Sequence, residues 1–126
     1  MNNRRYTPEQ VWIEAAADGI TATVGITHHA QDALGDIVFV ELPALGTSFD
    51  QNAVAAIVES VKTAADVFIP AGGEVIQVNE DLRANPSLAN TDPLQAGWFF
   101  KIRLADLAQL SALMDDARYR EFEKTA

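Results

Sequence analysis

The stretch VAAIVESVKTAADVFIP, residues 54–70, decides the fold because two apolar runs flank one short polar break. The runs VAAIV and DVFIP are too short for helices and are typical of packed strands. SVKTAA lies between them, so the whole stretch is expected to form a hairpin. Lys62 stands in the break, and the interval from Tyr6 to Leu82 holds no other Lys or Arg but twelve acidic side chains.

Further short strands are predicted on either side of this hairpin. QVWIEA and ITATVGI, joined by ADG, are expected to pair as a second hairpin. DIVFVELP is apolar on both faces, which is typical of a central strand of a sandwich or barrel. AGGEVIQV and GWFFKIRL also alternate as strands do.

Short helices are predicted around the strands. THHAQDALG is expected to be a helix capped by Thr27 and closed by Gly35 in the left-handed conformation. NEDLRANPSLANTDPLQAG is expected to be a polar connection, with one helical turn at PSLAN. The tail is expected to be helical. Asp106 and Gln109 have capping-box spacing, and Asp115 could cap a second short helix. An apolar stripe at helical intervals is formed by Leu107, Leu110 and Leu113.

These patterns predict a mainly β fold, a compact sandwich or barrel with short peripheral helices and a C-terminal helical segment. Residues 1–5 are expected to be a loose arm, and residues 6–126 a single domain. The 126 residues are enough for one hydrophobic core.

Charge and cysteine content exclude several functions. Nine Lys and Arg against eighteen Asp and Glu give a net charge of −9, whereas nucleic-acid and anionic membrane surfaces attract clustered cations. The absence of cysteine removes disulfides, zinc-thiolate sites and thiol nucleophiles, and it favours a reducing compartment. No secretory or membrane-length apolar run occurs, so we expect a cytoplasmic protein.

Lys62 is the strongest candidate for a functional side chain. It projects from a turn between two packed strands, no neighbouring cation competes with it, and Glu59 and Asp66 flank it as recognition groups. A flexible ammonium on such a mount suits covalent modification. A Schiff-base lysine is the rival interpretation, but such lysines depend on burial or nearby cations.

Other candidate motifs have simpler explanations. Lys101 is expected on the solvent face of a strand, and Lys124 in a frayed helix. Adjacent histidines, His28 and His29, diverge on a helix and lack a third ligand for zinc. Trp12 and Trp98 are expected in the core.

The segment ESVKTAADVFIPAGGEVIQVNEDL resembles the lipoyl-attachment region of the glycine cleavage system H protein family. TATVGITHHAQDALGDIVFVELPALG, NPSLANTDPLQAGWFFKIRL and the leucine-bearing tail resemble that family too, over roughly residues 6–122. The combination of GDIVFVELP, ESVK and GW is specific, whereas ESVK alone is not. The resemblance implies a barrel-sandwich hybrid that carries lipoate in amide linkage on Lys62, with Glu59, Ser60, Val61 and Asp66 in recognition or around the arm.

The same resemblance implies a carrier without catalytic activity of its own. Its lipoyl arm would take an aminomethyl group from glycine decarboxylase, which uses PLP, and deliver it to aminomethyltransferase, which uses tetrahydrofolate. Dihydrolipoamide dehydrogenase, with FAD and NAD, would reoxidise the dithiol. A lipoate-attaching enzyme is the remaining partner, and a monomer is expected because the carrier visits several active sites.

Two departures from the family pattern keep alternatives open. The family usually has His-Glu before the tryptophan, where this chain has Gln10 and Val11, and Ile69 replaces a smaller residue. Asp66, which matches the pattern, is then the clearer carboxylate to pair with the aminomethyl cation. An H-like protein that relays lipoate to other lipoyl-dependent enzymes fits these departures. An unmodified acidic β interaction domain is the alternative from another class.

Overall fold

The computed structural model describes residues 4–125, which form two antiparallel β-sheets with short helices at their margins. The strands are β1 Arg4–Tyr6, β2 Val11–Ala15, β3 Thr21–Ile26, β4 Ile37–Glu41, β5 Ser48–Phe49, β6 Val54–Ser60, β7 Ala64–Phe68, β8 Gly73–Val78 and β9 Phe100–Leu104. The helices are α1 His28–Leu34, α2 Glu80–Ala84, α3 Leu88–Thr91, α4 Ala108–Ser111 and α5 Asp116–Glu123.

The larger sheet has six strands in the order β1-β2-β3-β9-β8-β5, and the smaller has three in the order β4-β6-β7. One cluster of buried side chains draws on both sheets, with Ile13, Val24 and Ile102 from the larger and Val58 and Val67 from the smaller. Strand alternation supplies these side chains, because every second residue of a half-buried strand points inward. The predicted mainly β class with peripheral helices is confirmed.

The predicted β2–β3 hairpin is confirmed, and its packing explains a glycine. Trp12 pairs with Gly25, and a Cβ on that glycine would lie 2.7 Å from the indole ring. Trp12 is buried, and its Nε1–H donates to the Pro93 carbonyl at 3.1 Å. Trp98 is only half-buried, against the same aromatic cluster.

Strand β4 is an edge strand, so its predicted central position is wrong. A bulge between Ile37 and Phe39 inserts one residue into the pairing with β6. As a result Val38 and Phe39 are both exposed, while Ile37 and Val40 are buried. The apolar character of both faces reflects a bulge at a sheet edge rather than burial on both sides.

The predicted loose arm is wrong at Arg4 and Arg5, which lie in β1 and pair with Glu14 and Ile13. The guanidinium of Arg4 contacts Glu14 at 2.8 Å and lies 4.9 Å from the centre of the Trp12 ring. These contacts hold the strand against the sheet. Residues 1–3 of the predicted arm lie outside the described residues.

The polar connection before β9 contains more helix than expected. The helical turn at PSLAN is confirmed as α3, but α2 precedes it. Asn79 caps α2 by accepting the Leu82 N–H at 3.3 Å, and Leu82 is fully buried. A capped turn with one buried leucine is enough to form this short helix.

In the tail, the cap at Asp115 is confirmed, since its carboxylate accepts the Arg118 N–H at 2.9 Å. Asp106 does cap the start of α4, since its carboxylate accepts the Ala108 N–H at 3.0 Å. The Gln109 half of the capping box is wrong, because that side chain instead accepts the Gly72 N–H at 2.8 Å. Leu107 is exposed, so the packing stripe reduces to Leu110 and Leu113. None of the helices in residues 4–125 combines the length and apolar character that a membrane crossing needs.

Candidate functional site

Strands β6 and β7 form the predicted hairpin, and Lys62 lies at its tip. Glu59 pairs with Ala64, and the Ser60 N–H donates to the Thr63 carbonyl at 2.8 Å. The Ser60 hydroxyl accepts the N–H groups of Lys62 and Thr63 at 3.2 and 3.1 Å. Ser60 therefore shapes the turn that presents the lysine, as serine side chains commonly do in tight turns.

A second connection fixes the tip to the neighbouring strand. The Val61 N–H donates to the Asp36 carbonyl at 3.0 Å, and Ser60 pairs with Ile37 at the start of β4. The turn is thus supported from two sides, while the Val61 side chain is exposed. Sequence reasoning placed Val61 beside the lysine without identifying this backbone contact.

The Lys62 side chain is exposed and passes over Gly35. A Cβ on Gly35 would lie 3.2 Å from Cε of the lysine. Gly35 has the predicted positive φ, +79°, but its ψ of −155° lies outside the left-handed helical region. Within residues 4–125, the Lys62 ammonium has neither an ion pair nor a hydrogen bond.

Asn90 stabilises the loop beneath the lysine and was missed by sequence reasoning. Its side-chain oxygen accepts the Ile37 N–H at 2.9 Å, and its amide nitrogen donates to the Gly35 carbonyl at 2.8 Å. The same nitrogen lies 3.1 Å from the Gln31 side-chain oxygen. The signal was hidden because these contacts join residues more than fifty positions apart.

The other two lysines are engaged elsewhere. Nζ of Lys101 lies 5.2 Å from the centre of the Trp98 ring, within cation–π range. Nζ of Lys124 lies 3.5 Å from the Glu121 carboxylate. An exposed primary amine on a hydrogen-bonded turn is best suited to act as an acceptor for an acyl group.

A cleft of about 300 Å³ lies between α1, the β6–β7 hairpin and the segment before β2. Its charged and titratable lining residues are Glu9, His29 and Asp66, and Val11 and Leu34 contribute apolar surface. Leu34 directly precedes Gly35, so the cleft begins next to the stem of Lys62. Asp66 lines this cleft, whereas Glu59 and Lys62 are not among its lining residues.

Glu9 is a second carboxylate of the cleft that sequence reasoning missed. Val11 occupies the position of the usual family carboxylate, but it is buried and uncharged. Glu9, two residues earlier, is exposed and lines the cleft. The only available signal was the presence of an acid close to the substituted position.

Gln10 also lines the cleft, and its side chain joins two helices. It has a positive φ of +68°. Its side-chain oxygen accepts hydrogen bonds from the Thr27 hydroxyl, at 2.8 Å, and from the Tyr119 hydroxyl. Thr27 also caps α1, confirming its predicted role. Gln10 therefore connects α5 with the helix that forms one wall of the cleft.

His28 is exposed and His29 lines the cleft. No grouping of three or more His, Cys, Asp or Glu side chains suited to a metal ion occurs in the part of the chain that the structure describes.

Comparisons with known proteins agree over nearly the whole chain. The model of the family described as "Glycine cleavage H-protein" matches residues 4–126. A glycine cleavage system H protein from Chromobacterium violaceum is 54% identical over 115 residues, covering 91% of this chain and 89% of the relative. One from Methylocella silvestris is 53% identical over 125 residues, covering 99% and 98%. A crystal structure of a glycine cleavage system H protein from Mycobacterium marinum matches with a TM-score of 0.88 and 33% identity over 98% of each chain.

Proposed function

The chain belongs to the glycine cleavage H-protein family, and from that premise we propose that it is a lipoyl shuttle with lipoate attached to Lys62. Proteins of this family are carriers rather than catalysts. The partners of the shuttle are glycine decarboxylase, aminomethyltransferase, dihydrolipoamide dehydrogenase and a lipoate-attaching enzyme.

The observation that carries this proposal is that Lys62 is exposed on a well-supported turn and unpaired within the described part of the chain. Lys62 stands on a turn held by the Ser60 hydroxyl and by the Val61–Asp36 hydrogen bond, and its ammonium has no partner within residues 4–125. An attaching enzyme can reach such a group without breaking any interaction of the carrier. The residues present therefore fit lipoate in amide linkage.

Attachment needs an activated lipoyl group, such as an acyl-adenylate. A bond forms between its carbonyl carbon and Nζ of Lys62, the bond from that carbon to the phosphate breaks, and the nucleotide leaves with the electron pair. The nitrogen releases its surplus protons to solvent. Once bound, lipoate supplies a disulfide that accepts the aminomethyl group of glycine and that is later regenerated from the dithiol.

The cleft provides a place for the end of the arm. Asp66 and Glu9 line it, and carboxylates favour a cation such as the amino group that the arm receives from glycine. Glu9 supplies a negative charge close to Val11, the position at which the family usually has a carboxylate. Bound there, the amino group is kept from bulk water between visits to the partner enzymes.

The first test is the intact mass of the protein after incubation with a lipoate-attaching enzyme, ATP and lipoate. We expect the mass to increase by that of one lipoic acid less one water. Lys62→Arg should abolish the increase, because an arginine offers no acylable amine, whereas the control Lys101→Arg should leave it unchanged. An unmodified wild-type protein would instead support the interaction-domain alternative.

The second test separates a shuttle from a lipoate relay. Loaded protein is reconstituted with glycine decarboxylase, and then with aminomethyltransferase and tetrahydrofolate. A shuttle supports carbon dioxide release and methylene transfer, whereas a relay supports neither and passes its lipoyl group to another apoprotein.

In the same system, Asp66→Asn and Glu9→Gln test the cleft. We expect both variants to be lipoylated normally but to release ammonia several-fold faster when tetrahydrofolate is withheld, since the amino group loses its counter-charge. Glu121→Gln, on α5, is the matched control. Equal rates of ammonia release in all four proteins would refute the role of the cleft carboxylates.

A further inference from the structure

Apart from Asp66, which also lines the cleft, the outward face of the smaller sheet carries side chains that the proposed shuttle cycle does not use. Cross-strand partners point to the same side of a sheet. The pairs Phe39–Glu59 and Glu59–Ala64 form one row, and Glu41–Ile57 and Ile57–Asp66 form the next. The alternate row, Val40 with Val58, is buried, so these two rows face outward. We call this surface, together with Val38 and Val61, the lysine face.

The lysine face exposes large apolar side chains close to Lys62. Val38, Phe39 and Val61 are 56%, 47% and 66% exposed. They lie together because Val61 is hydrogen-bonded to Asp36 and Phe39 pairs with Glu59, while the bulge turns Val38 outward as well. A single exposed hydrophobic residue is ordinary, but adjacent ones indicate a contact surface.

Carboxylates surround these apolar side chains. Glu41, Glu59 and Asp66 are all exposed on the two rows. From Ile37 to Phe68, Lys62 is the one Lys or Arg in the sequence. A partner whose surface is complementary to the lysine face would therefore have a basic rim and an apolar recess for Phe39.

We propose that the lysine face is the docking surface for the enzyme that acylates Lys62, a protein with such a basic rim and apolar recess. This inference rests on the proposed function. An enzyme that acylates Nζ itself must bring its active site to the hairpin tip. Neighbouring strands are only about 4.8 Å apart, so its surface covers the adjacent rows. Enzymes that act on the far end of the arm do not need to approach the strands so closely.

The test measures initial rates of lipoylation against carrier concentration, with intact mass as the readout. Phe39→Ala removes the apolar contact and Glu41→Gln removes one charge, and neither touches Lys62 or the cleft. We expect KM for the carrier to rise about tenfold for Phe39→Ala and about threefold for Glu41→Gln, with kcat little changed. Added salt should raise KM of the wild type more than that of Glu41→Gln.

Two matched controls lie outside the lysine face. Leu107→Ala removes a leucine that is 56% exposed beside α4, and Glu121→Gln removes a charge on α5. Both should keep the wild-type KM. Thermal unfolding of each variant verifies that the substituted protein remains folded.

The outcomes separate the two proposals. If wild-type protein gains no lipoyl mass, the proposed function fails. If wild-type protein is lipoylated but Phe39→Ala and Glu41→Gln keep its KM, the docking proposal fails alone. It also fails if those variants are lipoylated normally yet load poorly with glycine decarboxylase, because the face would then serve another partner.

Discussion

At the scale of single residues, the environment of Lys62 depends on one glycine. Gly35 combines a φ of +79° with a ψ of −155°, a region that side chains with a Cβ avoid, and it leaves room for the lysine stem. Replacing it therefore has two separate effects, one on the backbone and one on the position of the stem.

Gly35→Ala should distinguish these effects. We expect a loss of about 1–3 kcal/mol in the free energy of unfolding from the backbone conformation, measured by chemical denaturation. The new Cβ, 3.2 Å from Cε, should also shift the Lys62 side chain, which changes its rate of reaction with an amine-specific acylating reagent.

Gly19→Ala is the matched control for the backbone effect. Gly19 has a φ of +70°, and a Cβ at this position would have no neighbour within 4 Å. The Gly19→Ala substitution should therefore destabilise the protein without altering the reactivity of Lys62. An unchanged acylation rate in Gly35→Ala would show that the stem does not depend on this glycine.

At the scale of elements, α5 is attached to β1 by stacked tyrosines. The rings of Tyr6 and Tyr119 lie 4.2 Å apart at an interplanar angle of 14°. Burial, followed by the hydrogen bond and negative charge of Asp116, raises the pKa of Tyr6 to about 12. Burial also raises the pKa of Tyr119. Both shifts favour the protonated phenol in the folded state.

These shifts predict a loss of stability at alkaline pH. The pKa of an unfolded tyrosine is about 10, so the stabilisation from Tyr6 is complete below pH 10 and is lost as pH rises from 10 to about 12. The measurement compares the free energies of unfolding of wild type and Tyr6→Phe between pH 8 and 12. Over that range the free energy of unfolding of the wild type should fall relative to that of Tyr6→Phe. A difference between the two proteins that stays constant with pH would contradict the assignment.

Element prediction from sequence succeeded where the pattern was local. The β6–β7 hairpin and the caps at Thr27 and Asp115 follow from adjacent residues. Strand β4 was misplaced because a bulge exposes Val38 and Phe39 together, which imitates the apolar pattern of a central strand. The Gln109 half of the capping box failed because Gln109 accepts a hydrogen bond from distant Gly72 instead.

At the scale of the whole molecule, the mainly β class and the exposed lysine could be predicted from periodicity, turn residues and charge. The support beneath the lysine could not, because Asn90 reaches Gly35 and Ile37 across more than fifty residues. The resemblance placed Asp66 around the arm, but the contribution of Glu9 was hidden, since Glu9 and Asp66 line one cleft only after the chain has folded. Local rules supply elements, whereas long-range contacts complete the site.

The hydrogen bond between Val61 and Asp36 restrains the turn that bears Lys62. With lipoate attached there, as proposed, this turn would anchor the arm, and rotation about the lysine and lipoyl bonds would supply most of its reach. The sulfurs would then sweep a volume centred on one point of the smaller sheet. Each partner enzyme would meet a tethered reactant at a similar local concentration.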